Sequence, residues 1–152
     1  MYDVLTVADA ILKIAKSKGK LLTPMQLVKL TYIAHGWSLA LRDKDLFRNK
    51  IEAWKYGPVI PDLYHATKQY GRNPIPLDKV GEVQDAGVDK SDLAFLDDVV
   101  DKYGHLDGIT LSYLTHQSGT PWDKVYSQGY RNLEINDSLI KQHYTDLAHA
   151  RS

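Results

Sequence analysis

Residues 23–41 constrain the fold more than any other stretch of this chain. Thr23-Pro24-Met25-Gln26 reads as a helix start, with Thr23 at the N-cap, Pro24 at the first helical position and Gln26 placed to complete a capping box. Leu27, Leu30, Ala34, Trp37 and Leu41 follow at helical spacing, and Val28, Tyr32 and Leu39 widen the stripe. A helix that is apolar over much of its circumference belongs at the centre of a fold. Gly36 in its interior costs about 1 kcal/mol relative to Ala. That points to a close helix crossing there, against Trp37.

Other segments supply helices to surround it. Val4, Ala8, Ile11 and Ala15 recur at helical spacing over 4–16, lysines gather at the C-terminal end, and Gly19 stops the helix. Ser91 is expected to cap a helix over 91–103, and Asp107 one that holds Leu111 and Leu114. Thr120 and Pro121 open another that carries Val125 and Tyr126. A last helix starts near Asp137 with Leu139, Ile140, Tyr144 and Leu147. Residues 46–47 and 51–54, joined by Asn49-Lys50, suggest a short hairpin. Residues 72–90 read as a long connecting loop, with a short extended piece at Ile75 to Leu77.

Between the hairpin and the next helix, residues 52–64 pack two prolines, a glycine and three large aromatics into one connection. Pro58 locks its own φ, and Gly57 can take conformations closed to other residues. Pro61 sits where a helix can start, and that helix is expected to run over 61–70 and end at Gly71. Trp54, Tyr56 and Tyr64 are held around the corner. Two readings stand: a joint that defines the fold, or a rigid aromatic surface that contacts a partner at low entropy cost.

The 152 residues suit one domain. Cysteine is absent, which excludes disulfides, thiolate zinc sites and a cysteine nucleophile. No secretory leader is legible, and the longest apolar run is Leu93 to Leu96, so a cytoplasmic protein with no membrane span is expected. Net charge is zero but divided, +6 over residues 1–72 and −6 over 73–152. The division reads as two mutually attracting faces, or as faces that dock charged partners. A neutral total disfavours nucleic acid as a partner. Tyrosine outnumbers phenylalanine ten to two, so several rings are expected half-buried at the rim of the core or at an interface.

No catalytic constellation is legible. The six histidines form no His-Glu-x-x-His pattern, and none is paired at metal-ligand spacing with a carboxylate on one clear face. Asp62 and His65 share a helix face, as do Ser112 and His116, but helical neighbours meet by geometry alone. No enzyme activity, metal or cofactor is expected.

The ordered set Leu27 to Trp37 (with Lys29, Tyr32, Gly36 and Trp37), Leu46-Phe47, Glu52-Ala53-Trp54, Tyr56-Gly57-Pro58, Pro61, Tyr64, Thr115-His116 and Pro121-Trp122 resembles the Panacea antitoxin domain, also called the SocA-like domain. The similarity runs over residues 5–145 and leaves 146–152 as a frayed tail. Phage-associated, GepA-like members extend the family to prophages. The resemblance implies a mainly α domain of about six or seven helices, with at most one small β element near residues 46–54. It implies an antitoxin that binds and neutralises a cognate protein toxin encoded in the neighbouring gene. The alternative is an adaptor that delivers the toxin to a ClpXP-type protease. A family with diverse toxins is expected to keep its scaffold and vary its contacts. The matched residues are therefore expected to be structural, and Lys55, Tyr56, Tyr126, Tyr130 and the 72–90 loop to contact the partner.

Overall fold

In the computed structural model, which describes residues 1–76, 87–130 and 132–151, every residue from Leu27 to Leu39 of helix α2 (Pro24–Arg42) is buried. The capping box is formed: the Gln26 amide N–H donates to Thr23 Oγ1, and Gln26 Oε1 accepts from the Thr23 amide. The stripe ends sooner than its spacing suggests. Leu41 is 59% exposed, because Asp43 turns left-handed and closes the helix one turn beyond the core.

Helices pack around α2 on several sides. Helix α1 (Val4–Ser17) is capped by Asp3, and α4 (Lys90–Tyr103), α5 (Gly108–Thr115), α6 (Pro121–Val125) and α7 (Asp137–Arg151) follow α3 (Pro61–Thr67). Among the described residues there are seven α-helices and one two-stranded sheet, a mainly α fold. The cap of α4 is Asp89, which accepts from the Ser91 amide, so Ser91 lies inside the helix it was expected to open. Asp107 and Thr120 cap α5 and α6 as expected. Helix α7 continues to Arg151, through the residues expected to fray.

A close helix crossing joins α2 to α7. A Cβ at Gly36 would fall inside the Tyr144 ring, so the expected close approach is real, with Tyr144 as the partner. Trp37 packs edge-on against the same ring at 5.0 Å and donates through Nε1 to Tyr103 Oη at 2.9 Å.

The hairpin lies later than expected. Strand β1 (Glu52–Trp54) pairs antiparallel with β2 (Gly57–Val59), and Lys55-Tyr56 forms the turn. Residues 46–47 do not pair with it, since Phe47 bridges to Tyr2 at the start of the chain. Gly57 at φ 114 supplies the conformation that closes so tight a turn. The outer edge of β1 is covered by residues 133–135, through Ala53 N–H to the Leu133 carbonyl and Ile135 N–H to the Ile51 carbonyl. Helix α3 gives way to a 3-10 turn at Lys68–Tyr70 and ends at Gly71 with φ 58. Ile75 is buried and donates to the Leu22 carbonyl. Leu77, the end of the extended piece expected there, and the loop's central residues 78–86 lie outside the described residues.

The divided charge is partly used within the fold. Lys18 reaches Asp101 and Asp97 at 2.7 and 2.9 Å, and Arg42 and Lys44 reach the buried Asp92 at 2.8 and 2.9 Å. Basic residues of the first half thus fasten to α4. Tyr2 is half-buried, as several rings were expected to be; Tyr126, expected as an exposed contact residue, is half-buried as well, and Tyr32 is fully interior, its hydroxyl without a hydrogen-bond partner among the described residues.

Candidate functional site

The hairpin is held from beneath by three side chains from three helices. Lys29 of α2 donates through Nζ to the Pro58 carbonyl at 2.8 Å. Ser112 of α5 donates through Oγ to the Tyr56 carbonyl at 2.6 Å. Trp122 of α6 donates through Nε1 to the Trp54 carbonyl. Alternate carbonyls along the hairpin are captured by donors that the sequence places 29, 56 and 68 residues away. Backbone acceptors taken out of water need such partners.

The matched motif residues divide between this anchor and the α7 contact, where Gly36 and Trp37 meet Tyr144. A Cβ on Gly57 would crowd Lys29 Nζ at 3.0 Å and Thr115 Oγ1 at 3.3 Å, and its φ of 114 is one that other residues rarely adopt. Lys29 is buried, and desolvation pulls its pKa down to about 7. Thr115 donates to the Leu111 carbonyl, and Pro121 starts α6 so that Trp122 faces the hairpin. His116 packs against Trp122 at 5.3 Å, and its Nδ1 contacts the Ser112 carbonyl. The Ser112 hydroxyl is committed to the Tyr56 carbonyl, so the Ser112/His116 pair is part of the anchor. Glu52 accepts from Trp54 Nε1 at 2.9 Å, Ala53 is buried, and the Trp54 ring meets Tyr64 edge-on at 5.0 Å.

Above the anchor the surface is aromatic and cationic. Lys55 and Tyr56 are exposed at the tip, Tyr56 by 61%. A groove of about 730 Å³ lies on one side, lined by Trp54, Lys55, His65, Tyr126 and Tyr130. Tyr126 stacks on Trp122 at 4.6 Å, while Tyr130 is 66% exposed. A smaller groove of about 320 Å³ lies on the other side, floored by Met25, Val28 and Val59 and walled by Trp54, Tyr56 and Tyr64. Trp54 and Lys55 border both. Three of the four expected contact residues therefore share one groove, and Tyr56 stands across the ridge from it.

Sequence reasoning missed the apolar residues beside the smaller groove. Ile109 and Tyr113 of α5 are exposed, Ile109 by 79%, and Gly108 lies against Met25. The signal was present: Ile109 and Tyr113 are i, i+4 on a helix with no charged residue, on the side away from Leu111.

A second cluster was invisible in the spacing. His35, Asp45 and Asp137 converge where α2 meets α7, with His35 Nε2 at 2.9 Å from Asp137 Oδ1 and 3.7 Å from Asp45 Oδ1. The Leu46 amide donates to His35 Nδ1, which places the ring proton on Nε2, facing Asp137. The atom that would ligate a cation is occupied by that hydrogen bond, so the trio reads as a joint. His35 holds Asp137 below the usual carboxylate range. Asp45 is pushed up to about 6 by its hydrogen-bonding contact with Asp137 and by partial burial. Asp62 and His65, which share a helix face, take separate partners: Asp62 accepts from Asn49 and His65 meets Lys68.

No solved structure matches this chain. It is similar to a curated protein, Antitoxin SocA from Caulobacter vibrioides (strain NA1000 / CB15N), at 27% identity over 93% of this chain and 82% of that one. The family model "Antitoxin SocA-like, Panacea domain" matches residues 27–123, which include most of α2, the hairpin and all three anchoring donors. The chain belongs to the SocA-like, Panacea domain antitoxin family.

Proposed function

We propose that this chain is an antitoxin that neutralises a cognate protein toxin, encoded in the neighbouring gene, by direct stoichiometric binding through the hairpin ridge. Family membership and similarity to Antitoxin SocA support the antitoxin role. One observation carries the choice of surface. The polar groups of the motif are turned inward to hold the hairpin, while Lys55, Tyr56 and Tyr130 are turned outward. A rigid frame that presents aromatic side chains is suited to recognition, since little freedom remains to be lost on binding.

The action is proposed to be non-catalytic. Ser112 and His116, the pair nearest to a nucleophile and base, are engaged in the anchor. A cytoplasmic setting goes with this reading, and among the described residues no helix is long and apolar enough to cross a membrane.

Co-expression with the adjacent gene product tests the proposal. The expected result is rescued growth and co-purification, with titration reaching a stoichiometric endpoint. Rescue at substoichiometric amounts would point to catalysis. Rescue that disappears in cells lacking the ClpXP protease, with a shortened toxin half-life, would replace blocking by delivery for degradation.

A further inference from the structure

The net charge is zero, but residues 1–72 carry an excess of six positive charges. The structure shows where part of that excess goes. Lys18, Arg42 and Lys44 are neutralised by aspartates of α4. Lys55 and Lys68 make no ion pair with a carboxylate among the described residues. Lys55 Nζ lies 5.4 Å from the centre of the Tyr56 ring, and Lys68 Nζ lies 3.3 Å from His65 Nδ1. Both are exposed, and both border the smaller groove. No described carboxylate lines either groove beside the ridge. Asp62, the nearest acid on α3, is turned away to Asn49 at 2.7 Å.

We propose that the smaller groove, between α2, the hairpin and α3, takes an acidic segment of the toxin polypeptide. Its aliphatic or aromatic residue seats on Met25, Val28 and Val59, and flanking carboxylates meet Lys55 and Lys68. The proposal rests on the hairpin ridge being the toxin-binding surface. An apolar centre with a charged rim is the usual anatomy of a protein contact. The rim cations would steer an acidic partner and reject a basic one. Nucleic acid fits less well, because phosphate binding calls for a continuous track of Lys and Arg rather than two cations around an apolar floor. A second copy fits less well, because a two-fold contact on this face would set its lysines against each other.

The test uses the purified chain and the purified protein encoded by the adjacent gene. Lys55→Glu/Lys68→Glu should leave the melting temperature nearly unchanged, since both side chains are exposed. It should weaken association about 100-fold, mostly through a slower on-rate. Wild-type affinity should fall as salt rises from about 50 to about 500 mM. Met25→Glu, in the groove floor, should weaken binding at least about tenfold by placing an acid where the partner's apolar residue sits. Wild-type binding that the double variant and salt leave unchanged would overturn this inference and leave the antitoxin reading intact. Absence of wild-type binding would remove the antitoxin reading and this inference with it. Binding of a labelled single-stranded oligouridylate that the double variant abolishes, with toxin binding untouched, would also overturn it. So would a wild-type dimer that the double variant dissociates.

Discussion

Helix α2 meets the hairpin on one side and α7 on another, and the two contacts are made of different materials. At the hairpin, side chains of α2, α5 and α6 donate to the backbone carbonyls of Trp54, Tyr56 and Pro58. The hairpin's own side chains at Lys55 and Tyr56 take no part and stay exposed. Along α7 the contact is side chain against side chain: Gly36 beneath the Tyr144 ring, Trp37 against that ring's edge, and His35 on Asp137. A contact held through backbone carbonyls leaves its side chains free to change without loosening the fold. A contact held through the shape of side chains does not. Exposed side chains at the hairpin tip can therefore change without loosening the fold, and those packed along α7 cannot.

The severest break should come at the α7 seam. Gly36→Val places a branched side chain inside the Tyr144 ring, which is itself buried and cannot step aside. The expected loss is about 3 kcal/mol. For a chain of this length that is roughly 6–12 °C in melting temperature, read by thermal unfolding. If Gly36→Val melts like the wild type, the seam is looser than its geometry and the contrast with the hairpin fails.

Lys29 gives the next largest effect and belongs to the hairpin side. Its folded pKa of about 7 lies below the ordinary value of 10.5 for a free lysine. Between those values the unfolded chain holds a proton that the folded chain does not. Stability should therefore rise with pH across that window, by at most about 1.4 kcal/mol per unit. Below about pH 7 the amine is protonated in both states and the contribution is constant. Urea midpoints at pH 7, 8 and 9 would show the slope. Lys29→Met removes both the buried charge and the donor to the Pro58 carbonyl, so its slope should be flatter even if its stability at pH 7 is similar.

What the sequence showed and hid follows the same division. The all-round apolar character of Leu27–Leu39 and the caps at Thr23, Asp107 and Thr120 are local facts, and they were legible. The hairpin was misplaced because Leu46-Phe47 has the composition of a strand, yet Phe47 finds its pairing partner in Tyr2, far back in the chain. Gly57 and Pro58 looked like a corner and prove to be a strand, because they pair back onto Ala53 and Trp54 around a two-residue turn. The exposed Tyr56 was found by aromatic content around a rigid corner, and the exposed Tyr130 among the tyrosines expected to contact a partner. Ile109 and Tyr113 were not, because an apolar pair on a short helix reads as core unless the opposite face is known to be buried. The His35–Asp45–Asp137 joint could not be read at all, since its members are far apart in sequence and meet only when α7 docks.

Trp54→Ala sharpens the comparison at the hairpin. The indole is half-buried, packs on Tyr64 and donates to the buried Glu52. The Trp54 carbonyl that Trp122 holds is backbone and survives the change. The expected stability loss is about 2 kcal/mol, from lost ring contact and a Glu52 oxygen left without its donor. The domain should still fold, and toxin binding should fall at least about tenfold, because Trp54 borders both grooves. Calorimetry and a binding titration on the same sample separate the two effects. Outright unfolding would move Trp54 into the class of Gly36, and the hairpin would then be a fold-defining joint rather than a presented surface.

The smallest effect should come from Asp45, at the polar end of the α7 seam. Its carboxyl is pushed up to about 6 through its hydrogen-bonding contact with Asp137 and by partial burial, while His35 holds Asp137 down. A carboxyl whose folded pKa is raised contributes stability below its unfolded value of 3.8 and loses it as pH climbs through 6. At pH 7 two like charges therefore face each other across the joint. Asp45→Asn removes one of them and can donate an amide hydrogen to Asp137, so it should stabilise the neutral protein. Solvent screening of this partly exposed group keeps the gain below about 1 kcal/mol. The gain should shrink as pH falls from 7 to 4, because wild-type Asp45 then takes up its own proton and plays the part of the amide. Melting temperatures of both proteins across that range would show converging curves. Parallel curves would mean that Asp45 ionises independently of its neighbour, and that the α7 seam is held by the Gly36–Tyr144 fit alone.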